Sequence, residues 1–203
     1  MANLHQYRTY DTRRLEALSD GIFAFSMTLL ILNFAIPEIP KNLAPHELWP
    51  KLSQSIPDLF DFILSFMLLA IFWNSHQRIF EDIEKTNQKI TWVNILLLLL
   101  IIFLPFSTEL MSMYGNSSLA VSIFSTNLLL INLSAIWIWH YAKKEKFTKI
   151  DLSAKSITYI KTKNNIILII TILALITGFF VPNYCTLFYL LIPLSFIFIK
   201  NKE

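Results

Sequence analysis

Apolar residues in this chain come in blocks, and several blocks approach the ~20 residues a helix needs to cross ~30 Å of hydrocarbon. Inside lipid every backbone N–H and C=O must find a partner within the protein, so a long apolar segment of this kind spans as a helix. Composition agrees. Of 203 residues, 55% are hydrophobic and 15% are charged, whereas a soluble domain carries about 25% charged residues. The net charge of +3 is too small, and too divided among the connections, to mark a nucleic-acid binder. A single cysteine, Cys185, excludes an internal disulfide framework and a cysteine-built zinc site. The expected class is an all-α integral membrane protein.

Residues 1–14 are polar and basic, without the short apolar core and small-residue cleavage site of a signal peptide. Six spans are expected, forming one domain over 1–203. The first covers 15–36 and stops at Pro37 and Pro40. The second covers 57–78 and opens on Pro57, a residue tolerated in a first helical turn. The third, 90–113, holds Pro105 as a kink, and the fourth covers 119–141. The fifth (166–181) and sixth (187–199) are short, with residues 182–184 turning between them.

Charge sets the expected orientation. Arg8, Arg13 and Arg14 precede the first span; Arg78, Lys85 and Lys89 lie between the second and third. Lys143, Lys144, Lys146, Lys149, Lys155, Lys161 and Lys163 fall between the fourth and fifth, and Lys200 and Lys202 in the tail. Only Lys41 and Lys51 lie on the other side. The positive-inside rule therefore places both termini in the cytoplasm. Glu38, Glu47, Asp58, Asp61 and Glu109 sit on or near the outer side, where they would concentrate cations at a pore mouth. Taken singly, each is ordinarily a solvated loop carboxylate.

Most catalytic constellations are missing from the sequence. There is no HExxH, no glycine-rich phosphate loop and no nucleophile elbow, and the glycines are Gly21, Gly115 and Gly178. His5, His46, His76 and His140 are scattered. No segment resembles the TVGYG potassium filter, and no arginine-repeat helix suggests a voltage sensor. In the fourth span Ser122, Ser125, Thr126, Asn127, Asn132 and Ser134 read as interhelical hydrogen-bond partners rather than a transport path. No enzyme activity, cofactor or fixed metal site is expected.

The first span is different. It opens Arg14-Leu15-Glu16-Ala17-Leu18-Ser19-Asp20-Gly21. Asp20 lies about a turn and a half after Arg14, and an intramembrane carboxylate should face protein or water. Gly21 beside it permits close helix approach. Further on, Phe25, Thr28, Leu29 and Leu32 share a face at i, i+3, i+4 and i+7. In isolation such a stripe is usually packing.

The run from Arg14 to Gly21 resembles the RxxxFSD signature of the transmembrane protein 175 potassium-channel family, with Leu18 in place of the usual Phe. Two further stretches are similar: Phe72-Trp73-Asn74-Ser75-His76-Gln77-Arg78-Ile79-Phe80 and Phe103-Leu104-Pro105-Phe106-Ser107. Together they cover roughly the first half of the chain. The resemblance implies a bacterial, single-repeat member that assembles as a homotetramer, with four copies of the first helix lining the pore. By position it implies that Phe25, Leu29 and Leu32 form the apolar constriction, Phe25 standing where Ile or Leu is usual. Thr28 falls beside the ion path, where potassium binds transiently. Arg14, Ser19, Asp20, Trp73 and His76 would form a polar network that holds the first helix; His76 as a proton sensor is the alternative reading.

A ring of large apolar side chains narrows a pore and disfavours water. Because potassium sheds its hydration more cheaply than sodium, such a ring prefers it only modestly. The expected function is thus a weakly selective potassium-permeable cation channel. A proton- or cation-coupled transporter, with Asp20, Asp61 or His76 as carrier, is the competing reading. An intramembrane hydrolase would have to use the DxxD pair Asp58 and Asp61, and a poreless scaffold would leave the Phe25–Leu32 stripe as lipid or helix contact.

Overall fold

The structure, a computed structural model, describes residues 11–32, 45–182 and 185–198. It is helical throughout these residues. The elements are α1 (Arg13–Leu32), α2 (Pro45–Leu52), a 3-10 turn (Ser53–Ser55), α3 (Ile56–Glu81), α4 (Gln88–Met113), α5 (Ser118–Lys144), α6 (Ala154–Phe180) and α7 (Cys185–Phe198). Five of them are long and apolar enough to cross a membrane, with α2 and its 3-10 turn leading directly into α3. The described part of α7, 14 residues, is about 21 Å long, and residues 183, 184 and 199 of the expected turn and sixth span lie outside the described residues. Residues 33–36, at the end of the expected first span, lie outside the described residues.

Local chemistry sets the helix ends. Asn87 caps α4 by accepting a 3.1 Å bond from Ile90 N–H, and Ser153 caps α6 by accepting a 3.0 Å bond from Ser156 N–H. Each satisfies one of the donors that a helix start leaves open. Ser153 also explains a difference from the sequence reading. The helix begins at Ala154, some three turns before the apolar run at 166, because its early turns already bury Ile160, Lys163 and Asn164. α5 ends in a Schellman turn. Lys146 adopts φ 57°, while Phe147 N–H bonds Ala142 O at 2.9 Å and Lys146 N–H bonds Lys143 O at 3.2 Å.

The next connection is tied to this turn. Glu84 N–H donates to Phe147 O at 2.9 Å, and Ile83 forms an antiparallel bridge with Thr148. The α3–α4 and α5–α6 loops are thereby fastened together at the basic end of the bundle.

The core is layered from α4 outward. α1 packs on α3 and α4; α4 packs on α5, α5 on α6, and α6 on α7. Leu68, Leu69, Ile101, Leu104, Phe124, Leu128, Ile167, Ala174 and Tyr189 are all buried completely. Three of the fourth-span polar residues bridge helices as the sequence suggests. Asn127 Nδ2 donates to Ser107 Oγ on α4, Asn132 Nδ2 to Asn164 O on α6, and the hydroxyls of Ser125 and Tyr189 on α7 hydrogen-bond each other. Ser134 instead bonds its own helix at Leu130 O, while Ser122 and Thr126 line a cleft beside α4.

Candidate functional site

α1 has two faces with opposite fates. Leu15, Ser19, Phe23, Ser26 and Leu30 are buried against α3 and α4. At 100° per residue these positions fall within one narrow arc. On the other side Phe25 is 58% exposed and Leu32 76% exposed, Thr28 is exposed, and Leu29 sits half-buried at the margin. These are large apolar groups on a helix that already packs against its own chain. None of the described residues covers them.

Arg14 belongs to this second face. It precedes Leu32 by 18 residues, five full turns, and it is exposed. Among the described residues it makes no hydrogen bond or ion pair. The structure thus separates Arg14 from the polar group into which the sequence reading placed it. At Gly21 a built Cβ meets only open space, so none of the described helices approaches it closely.

Two polar links anchor the helix. On its flank, Trp73 Nε1 of α3 donates a 2.9 Å hydrogen bond to Asp20 Oδ1. On its buried face, His76 Nε2 of α3 meets Asn94 Oδ1 of α4 at 2.8 Å, and Asn94 Nδ2 donates to Ser19 Oγ at 3.0 Å. Ser19 Oγ in turn donates to Leu15 O at 2.8 Å. With the amide in this orientation His76 carries its proton on Nε2, and every donor in the chain points the same way. The imidazole stacks on Phe80 at 4.4 Å and lies 5.6 Å from Phe23. Asn74, between Trp73 and His76, accepts a 2.8 Å bond from Lys163 Nζ of α6. One turn of α3 therefore holds α1, α4 and α6.

Asn94 and Lys163 escaped the sequence reading as site residues. A lone amide inside the third apolar span was the available signal for Asn94. Lys163 looked like one more loop cation until α6 proved to begin before it.

Thr28 is poised differently from the anchors. Its hydroxyl donates to Phe25 O at 2.7 Å, which leaves the oxygen's lone pairs facing outward as acceptors. At the far end of the bundle Ser112 Oγ donates to Asp58 Oδ1 at 3.0 Å. Glu38 lies outside the described residues. Among those described, no group of His, Cys, Asp and Glu has the arrangement of a metal site.

These features define a helical membrane protein with one face of its first helix packed on α3 and α4 and the other uncovered by the described residues. The family described as endosomal/lysosomal potassium channel TMEM175 matches residues 14–105. A protein named a potassium channel from Chryseobacterium sp. (strain P1-3) is 28% identical over 181 residues, 89% of this chain and 90% of that one. Another so named, from Chamaesiphon minutus, is 33% identical over 135 residues, 65% of this chain and 66% of the relative. A Danio rerio relative named an endosomal/lysosomal proton channel is 25% identical over 194 residues, 92% of this chain but 36% of its own length. The fold matches the crystal structure of a TMEM175 homolog from Chamaesiphon minutus, described as a lysosomal potassium-selective channel. The TM-score is 0.76 at 24% identity, covering 94% of this chain and 98% of that one. The chain belongs to the TMEM175 family.

Proposed function

We propose that the chain is a potassium-permeable, weakly selective cation channel of the cell membrane, formed by four copies around an axis lined by α1. The observation that supports this best is the uncovered stripe of Phe25, Leu32 and the marginal Leu29 on a helix whose opposite face is fully packed. One helix cannot enclose water, so a pore built from it needs closed rotational symmetry. Facing an axis, the apolar rings narrow the path and raise a dewetting barrier without any carbonyl filter. Thr28 supplies an oxygen beside them, its own proton already committed to Phe25 O, and replaces part of an ion's lost hydration. The Trp73–Asp20 and His76–Asn94–Ser19 links fix the rotation of α1 that aims the stripe at the axis. Both termini face the cytoplasm in this reading, and no cofactor takes part.

A planar-bilayer reversal potential under opposed potassium and sodium gradients tests the proposal. The expected result is a shift partway toward the potassium potential, with conductance altered in Phe25→Ala and Leu29→Ala. Equal permeabilities would sink the potassium preference. Saturating flux coupled to a proton gradient, without single-channel steps, would instead establish a transporter, and Asp20 on the flank of α1 is the carboxylate it would use.

A further inference from the structure

At the basic end of the bundle an open cleft of about 410 Å3 lies between the first turns of α4 and the last turns of α5, lined by Gln88, Lys89, Trp92, Val93 and Trp137. We propose that this cleft binds an anionic phospholipid, its acyl chain lying between Trp92 and Trp137 and its charged headgroup at Lys89.

The walls are apolar and fixed in advance. Trp92 is 62% exposed and Trp137 40% exposed, whereas Trp139, two positions on, is buried in the core. The indole of Trp137 stacks on the Tyr141 ring at 4.8 Å with an angle of 7° between planes. Tyr141 Oη in turn accepts a 3.1 Å bond from Asn87 Nδ2, the same residue that caps α4. The aromatic wall is thus locked to the start of the helix it faces, and it needs no rearrangement to receive a chain.

The mouth is cationic. Lys89 Nζ lies 5.8 Å from the centre of the Tyr141 ring, which holds the ammonium at the polar rim of the aromatic wall. Lys85 before α4, and Lys143 and Lys144 in the last turn of α5, are exposed at the same end. Tryptophan and tyrosine settle at headgroup depth because one part of each ring system is apolar and another is wet. Lysines at that depth attract anionic lipid. An apolar slot, an aromatic collar and a cation at its rim match, in order, an acyl chain, a glycerol region and a negative headgroup. A second copy of the chain is the poorer occupant, since the cores of protein interfaces are depleted in lysine.

Tryptophan quenching by brominated lipid tests the assignment on the full-length protein. Vesicles would combine unlabelled phosphatidylcholine with either brominated phosphatidylglycerol or brominated phosphatidylcholine. The wild type should favour the phosphatidylglycerol by about five-fold, as one lysine at the surface would confer. In Lys89→Gln the preference should fall to near one while quenching by brominated phosphatidylcholine persists, with a melting curve to show that the variant is folded. Trp92→Phe should lower the quenchable fraction. Equal affinity for the two lipids in the wild type, or a preference untouched by Lys89→Gln, would overturn the proposal. So would a Trp92 that neither lipid quenches, which would mean that a second copy covers the cleft.

Discussion

Trp73 Nε1 and Asp20 Oδ1, separated by 53 positions in the chain, meet at 2.9 Å where α3 crosses the flank of α1. The bond sits between the packed and uncovered faces of α1 and so acts on the rotation of the helix. Asp20→Ala should therefore disturb conduction more than stability. The loss in thermal unfolding should be about 1–2 kcal/mol, the worth of a hydrogen bond to a charged acceptor. Asp20→Asn keeps an acceptor and should fall between. A conductance in Asp20→Ala equal to wild type would show that the bond does not set the pore.

Asn94 is the one group that touches both His76 and Ser19. Asn94→Leu leaves the imidazole N–H without its acceptor in a site that is 4% exposed and should cost about 2–3 kcal/mol. Ser19→Ala alone should cost less, and the two changes together less than their sum, because they share one network. Additive losses in a double-mutant cycle of melting curves would contradict a continuous chain.

Phe23 and Phe25 offer an internal contrast on one helix. Phe23 is 1% exposed and Phe25 58% exposed. Phe23→Ala opens a cavity against α3 and should lower stability by about 3–5 kcal/mol. Phe25→Ala should leave the melting point of the single chain near wild type and change conductance. Ion flux and detergent melting of the same pair of variants would separate a packing residue from a pore residue.

Lys163 is 2% exposed, and among the described residues no carboxylate pairs with it. Its ammonium has Asn74 Oδ1 at 2.8 Å and the rings of Phe196 and Tyr159 at 4.3 and 5.4 Å. Asn74→Leu should destabilise by about 2 kcal/mol, because it removes the acceptor from a buried cation. Lys163→Met, which removes the charge and keeps the stem, should cost less. In the double variant Lys163→Met should recover most of the loss. A double variant as unstable as Asn74→Leu alone would refute this account.

At Gly178 of α6, side chains of α5 and α7 approach the backbone closely. A Cβ there would run into Val121 Cγ1 and stand 3.0 Å from Cys185 Sγ. Gly178→Ala should cost about 1–3 kcal/mol through overpacking, and adding Val121→Ala should restore part of it. Unchanged melting in Gly178→Ala would mean that α7 shifts freely to make room.

Much of this protein was legible in its sequence because the bilayer simplifies the problem. Long apolar blocks in α1, α3, α4 and α5 can satisfy their backbone only as helices, and helices starting at Arg13, Ile56, Gln88 and Ser118 are found there. The stripe from Phe25 to Leu32 was readable too, since helical periodicity alone puts its members on one side. Periodicity does not say whether that side meets protein, lipid or water. The packing of α1 against α3 and α4 adds that this side is not the one held by the described helices: Phe23 and Leu30 are buried, while Phe25 and Leu32 are exposed. The same packing took Arg14 out of the polar group and brought Asn94 into it, because a side-chain network depends on which helices touch rather than on spacing along any one of them. The early start of α6 was hidden for a related reason. Its first turns are polar and basic, and Lys163 becomes an interior residue only once Asn74, Tyr159 and Phe196 close around it. Transfer into the bilayer, a property of each segment by itself, fixed the helices; the pairing of polar groups between segments, which exists only after they pack, fixed the site.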